Sequence, residues 1–193
     1  PNALDIEAFT RPIKNEPKKN EKVKLLYLGS LIHSKGPQIL LEAIRGLDVE
    51  CRLYGEGILK EELQQAIQKY QLDAQIYPQV QYAEVPSLYA QADIVVFPSL
   101  WPEPFGRIAI ESMAAGKPII GAAIGAIKEM VTSGTGILTD PGDVQQLREA
   151  IELLMHNEKL RQEMGKNGRK AVKESYAEEK VIEKLIGVYV ERS

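Results

Sequence analysis

Glu103 and Glu111 bracket the stretch PEPFGRIAIE, with seven residues between them. Among those seven are an aromatic, Phe105, a glycine, Gly106, and an arginine, Arg107. Pro104 biases Glu103 away from helical geometry, so Trp101 to Pro104 reads as a loop. A helix is expected from near Phe105, which leaves the N–H groups of Gly106, Arg107 and Ile108 without intrahelical acceptors. Such groups favour an anion, and a phosphate is the natural one. Gly106 has no side chain to keep it away. Two carboxylates beside a phosphate are unfavourable unless they bind something uncharged. Sugar hydroxyls fit, because a carboxylate accepts strong hydrogen bonds from O–H groups. A nucleotide sugar offers hydroxyls on both sides of its pyrophosphate. The plainer alternative is that Glu111 is a helix-surface charge and Glu103 a loop charge, and their spacing alone does not separate the two.

A second loop, GSLIHSKGP, offers Gly29 for a tight turn and Lys35 just before a helix entry at Gly36. A cation and free N–H groups together favour an anion there. The spacing is neither a Walker loop nor Gly-x-Gly-x-x-Gly. Taken alone, this loop favours the plainer reading, with Lys35 and His33 as solvated loop residues.

These loops need elements to position them. The chain has 193 residues, 44% hydrophobic and 26% charged, which is the balance of one soluble globular domain with a core of its own. A net charge of −3 gives no electrostatic case for nucleic acid. No apolar run approaches a membrane span, and no signal sequence opens the chain. The single Cys51 excludes an internal disulfide, fits a reducing compartment, and reads as a small buried hydrophobe. Two histidines, His33 and His156, with one cysteine cannot build a zinc cluster, and no Asp-x-Asp is present. The chemistry expected is free of metal and cofactor.

Residues 1–22 are polar with three prolines and read as a linker. The chain opens at Pro1 rather than Met, as expected of a piece of something longer. Strands are expected at 23–29, 49–55, 74–77, 93–99, 117–123 and 136–140. Helices are expected from Pro37 to Leu47, over LKEELQQAIQKY, over 85–91, from Phe105, and over three segments that close the chain. Strands alternating with helices indicate an α/β fold: a doubly wound, Rossmann-like parallel sheet of about six strands. Ligands of such sheets bind beyond the carboxyl ends of the strands, near the switch in strand order. The loops there are GSLIHSKG, GEG, PSLWPEPFG and GAAIGAIKE.

In that setting EPFGRIAIESMAAGKPII resembles the E-x7-E signature of the retaining family-4 glycosyltransferases, also called glycosyltransferase group 1. The resemblance covers nearly the whole chain. PNALDIEAF is similar to the segment joining the two halves of these enzymes, LGSLIHSKG to their first-strand loop, LYGEG to their Gly-x-Gly, and LYAQADIVVFPS to the strand leading into the signature. The resemblance implies a C-terminal, donor-binding half of a GT-B fold. Residues 23–175 would be the nucleotide-sugar-binding domain, and 176–193 a helix packing toward a missing N-terminal half.

By matching position, the resemblance implies that Gly29, Ser30, Gly57 and Lys35 meet the donor, with Lys35 on its diphosphate. Phe105, Gly106, Arg107 and Ile108 would surround the same group. Glu103 would bind the transferred sugar, Glu111 the ribose, and the backbone near Gln79 and Val80 the base. Lys35 and Glu103 are the residues implied in catalysis. Lys35 and the helix N-terminus would stabilise charge on the leaving diphosphate. Retention implies same-face attack by an acceptor bound on the absent half. Members of the family often carry an arginine where this chain has Ser30. They often carry Gly-Gly-x-Pro-Glu where it has GAIKE, with Ala126 and Lys128 as the departures and Glu129 in the expected place. Arg107 is a candidate replacement for the missing cation.

The implied activity is sugar transfer from a UDP- or GDP-sugar, with a slight lean to UDP, onto a growing glycan or lipid-linked acceptor. A polysaccharide-building role in the cytoplasm follows, and the isolated fragment is expected to be inactive. Helix 158–173 has six basic residues, read as a solvated face with a peripheral contact to the inner membrane face as the alternative. Two rivals remain: another GT-B sugar-nucleotide enzyme such as an epimerase, and a non-catalytic nucleotide-binding module.

Overall fold

The computed structural model describes residues 6–10 and 22–175. Six strands run parallel in one sheet: β1 Val23–Leu28, β2 Val49–Tyr54, β3 Ala74–Tyr77, β4 Ile94–Phe97, β5 Ile119–Ala122 and β6 Gly136–Thr139. Their order is β3-β2-β1-β4-β5-β6. The strand order therefore reverses between β1 and β4, where Leu25 pairs with Ile94 and Leu26 with Val95. The expected α/β, Rossmann-like sheet is observed, and its carboxyl edge at β1 and β4 is where such folds leave a crevice.

The sequence explains why the sheet is covered on both faces. β4 and β5 are apolar throughout and buried at every position, the pattern of strands with helices on either side. In β1 the pleat sends Leu25 and Tyr27 into one core and Leu26 into the other. Helices α2 Pro37–Ala43, α3 Lys60–Lys69 and α7 Val144–Met155 close the first core, through Leu40, Leu63 and Ile151 among others. Helices α4 Val85–Gln91, α5 Arg107–Ala114 and α8 Glu158–Ser175 close the second, through Tyr89, Met113 and Val172.

Four expectations need correction. GAIKE, read as loop, lies in helix α6 Gly125–Met130, whose Ile127 is buried against the second core. Helix α2 ends at Ala43 rather than Leu47, because the residues after it turn instead of continuing. Helix α5 starts at Arg107, two residues later than expected, because Gly106 adopts a left-handed conformation with φ 63° and caps it. Inside the stretch read as a linker, Ile6–Thr10 form helix α1, and Phe9 is buried. The closing helix expected over 176–193 lies outside the described residues.

The basic helix α8 is partly committed to its own fold. Arg161 donates to the carbonyls of Leu154 and Met155, and Arg169 to that of Ala115. Among the described residues, no helix is long and apolar enough to cross a membrane.

Candidate functional site

A crevice of about 640 Å³ opens at the carboxyl ends of β1 and β2, beside the start of α5. Of the residues singled out above, Gly29, Ser30, Val80, Arg107, Ile108 and Glu111 line it, as does Gln79. Lys35, Gly57, Glu103, Phe105 and Gly106 are not in its lining. Gly57 lies in the loop after β2, where the Glu56 carbonyl accepts from the Leu31 N–H (2.8 Å) and ties that loop to the one after β1. Phe105 is exposed to solvent.

Glu111 is no helix-surface charge. It is 4% exposed, and its carboxylate accepts three hydrogen bonds. Oε1 accepts from Tyr82 Oη (3.2 Å) and Arg107 Nε (2.8 Å), and Oε2 from Tyr89 Oη (2.9 Å). The Arg107 guanidinium also lies over the Tyr82 ring, 4.3 Å from its centroid. Arg107, the candidate replacement for the missing cation, is thus already paired with Glu111, while its side chain remains 46% exposed at the crevice. Burial pushes the Tyr89 phenol well above its ordinary range, with the Glu111 charge adding to it. Burial likewise raises Tyr82. Both phenols therefore remain donors to the carboxylate at neutral pH. Behind them Phe9 packs on both rings, with centroids 6.1 Å from Tyr82 and 5.7 Å from Tyr89.

Glu103 has a different neighbour. Its carboxylate pairs with the Lys35 ammonium, and the two side chains are 21% and 24% exposed. Lys35 ends a 3-10 turn, His33–Lys35, that precedes the left-handed Gly36 and helix α2. The residues expected on the diphosphate and on the sugar are thus brought into contact with each other. Tyr27 lies close to them. Its hydroxyl donates to the Ser30 carbonyl (2.8 Å), and burial raises its phenol, with the Glu103 charge as the second cause.

Gly106 works differently from the expectation. A Cβ there would come within 2.9 Å of Met130 Sδ and 3.3 Å of Ile127 Cδ1. The missing side chain makes room for helix α6, not for a phosphate. The first-turn N–H groups of Arg107 and Ile108 still lack intrahelical acceptors, as any helix start does. Ile108 and Arg107 both border the crevice.

Sequence reasoning missed Tyr54, Glu56 and Tyr82 in the crevice wall. Tyr54 stacks on Tyr77, with centroids 4.7 Å apart. Their signal was positional: each lies in or just after the carboxyl end of a strand, where the switch-point rule already pointed. Among the described residues, no group of three or more His, Cys, Asp or Glu is placed to hold a metal ion.

A family described as glycosyl transferases group 1 matches residues 9–171. The chain belongs to this family. An uncharacterized glycosyltransferase of Methanocaldococcus jannaschii, MJ1178, is 32% identical over 170 residues, which cover 87% of this chain and 48% of that protein. This group 1 domain spans about half the length of the curated relatives it matches. Anabaena HepE, solved in complex with UDP-glucose, superposes with a TM-score of 0.80 at 25% identity, over 88% of this chain and 49% of HepE. The C-terminal domain of LpcC, a group 1 family protein of Francisella tularensis, superposes with a TM-score of 0.77 at 29% identity, over 91% of this chain and 99% of that domain. The six-stranded Rossmann-like fold is that of one half of these GT-B proteins.

Proposed function

We propose that this group 1 domain is the C-terminal, donor-binding half of a retaining, family-4 glycosyltransferase that moves a sugar from a nucleoside diphosphate onto a glycan or lipid-linked acceptor. The observation that carries the reading is the crevice at the carboxyl ends of β1 and β2 beside α5, with a buried, hydrogen-bonded Glu111 in its wall. The match of nearly the whole LpcC C-terminal domain supports the C-terminal assignment. The UDP-glucose complex of HepE supports a nucleotide-sugar donor.

In this reading the ribose hydroxyls donate to Glu111. A carboxylate has about four lone-pair sites, three of which are taken here, so a ribose uses the fourth and competes with Tyr82 for another. The base lies against the backbone near Gln79 and Val80, with the Gly29–Ser30 turn facing it across the crevice. The diphosphate meets the N–H groups at the start of α5 and the Lys35 ammonium. Glu103 orients the transferred sugar. As negative charge grows on the leaving diphosphate, donors already fixed in place stabilise it without reorganising. No metal enters this scheme. The acceptor belongs to the other half of the enzyme, so this chain alone binds donor and transfers no sugar.

The test is thermal shift of the 193-residue chain against UDP, GDP, ADP and their sugar conjugates. Ligand at about a hundred times its Kd stabilises by ~2.7 kcal/mol, which raises the melting point by several degrees. A flat melting point against every nucleotide at millimolar concentration would sink the proposal.

A further inference from the structure

Lys35 and Glu103 come from loops after different strands, yet main-chain contacts hold those loops together. The Leu100 N–H donates to the Ser34 carbonyl (2.8 Å), and Ser99 Oγ donates to the same oxygen (3.2 Å). Gly36, at φ 71°, lies so close to Pro98 that a Cβ would come within 2.0 Å of its carbonyl oxygen. On the far side, the Ala126 N–H at the start of α6 donates to the Glu103 carbonyl (2.9 Å). The backbone beneath both members of the ion pair is therefore fixed. Their meeting is a property of the fold rather than of two long side chains wandering over a surface.

The two groups differ in what can replace each partner. An ammonium exchanges a carboxylate for a phosphate readily, since both are anions. A carboxylate that loses its ammonium needs O–H donors instead. A sugar-loaded donor supplies both substitutes at once, a diphosphate for Lys35 and hydroxyls for Glu103. A bare nucleoside diphosphate supplies only the first. It draws Lys35 away and leaves Glu103 half-buried without a partner, which costs free energy.

We propose that the Lys35–Glu103 ion pair is a specificity device: it makes the domain prefer the sugar-loaded donor to the bare nucleoside diphosphate, and by re-forming after transfer it helps to release that product. Glu103 thereby opposes the binding of one ligand while supporting the other. The inference rests on the donor reading above and goes beyond it, because a residue that only contacts the sugar would not affect the bare nucleotide.

Isothermal titration of wild type and Glu103→Gln tests it. The ligands are the best-binding nucleoside diphosphate of the thermal screen and its best-binding sugar conjugate. Glu103→Gln should bind the bare nucleoside diphosphate more tightly, by on the order of fivefold, and the sugar conjugate more weakly. The gain must run through Lys35, so in a Lys35→Met background the same substitution should change nucleoside diphosphate affinity by less than about twofold. An unchanged or weakened affinity of Glu103→Gln for the bare nucleotide overturns the inference and leaves the donor reading standing. A gain that persists in full in the Lys35→Met background also overturns it, since general charge repulsion would then be the cause. Absence of any nucleotide binding by wild type overturns the donor reading and this inference with it.

Discussion

Two carboxylates that look alike in sequence occupy opposite kinds of site. Glu111 is on a helix, 4% exposed, with three donors from three different segments around it. Glu103 is on a loop, about a fifth exposed, and among the described residues its side chain pairs with one ammonium, that of Lys35. The first is oriented before any ligand arrives, because its buried donor Tyr89 is held in the second core and Phe9 packs on both tyrosine rings. The second is oriented only through its backbone, and its side chain is free to change partners. One chain thus contains a fixed hydroxyl acceptor and an exchangeable one, some eight residues apart.

The contrast breaks most visibly at Glu111. Glu111→Ala leaves the fully buried Tyr89 hydroxyl without its acceptor, and an orphaned buried polar group costs ~1–3 kcal/mol. The urea midpoint should fall accordingly, and nucleoside diphosphate affinity should drop by about tenfold or more with the loss of a charge-assisted acceptor. A variant as stable as wild type would mean that the tyrosines do not depend on this carboxylate, and the preorganised half of the comparison would be lost.

Tyr89→Phe is a milder cut in the same place. It removes one hydrogen bond and should cost ~1 kcal/mol at neutral pH. It also carries a pH signature. Burial holds the Tyr89 phenol well above its ordinary value of 10.0, so the native state keeps that proton when the unfolded chain has released it. Stability from this source is complete below pH 10 and declines as the pH rises beyond it. Tyr27 and Cys51 are raised by burial as well and act in the same direction, the thiol from its ordinary value of 9.0. Urea midpoints between pH 8 and 11 should therefore fall for wild type and fall less steeply for Tyr89→Phe. Parallel curves would show that Tyr89 ionises equally in both states.

The same contrast explains what could be read from sequence. Apolar runs such as IVVF and IIGA fixed the strands, because a parallel strand covered on both faces has little freedom in composition. The rule that ligands sit beyond the carboxyl ends of the strands then pointed to the edge where the crevice opens, without any contact being known. Helix α6 escaped because GAIKEM is six residues long and opens with glycine, too short to show a helical period. The role of Gly106 escaped because what fills the space beside it comes from that unread helix. The cage around Glu111 escaped for a different reason. Tyr82 and Tyr89 lie 29 and 22 residues before it, and only the packing of α4, and of the 3-10 turn Tyr82–Glu84 that precedes it, beside α5 brings them together. The pairing of Lys35 with Glu103 spans 68 residues and is equally invisible in a linear chain.

At Glu103 the same substitution should do almost nothing to the fold. Glu103→Ala removes an ion pair that water reaches from one side, and such pairs are worth ~0–1 kcal/mol. Its carbonyl would still accept from Ala126, and the Leu100 to Ser34 bond would still join the loops. The unfolding free energy from urea titration should stay within ~0.5 kcal/mol of wild type, against the several-fold larger loss at Glu111. If Glu103→Ala proved as destabilising as Glu111→Ala, the ion pair would be a structural strut. A strut cannot exchange partners with a passing diphosphate, so the two carboxylates would then be alike after all.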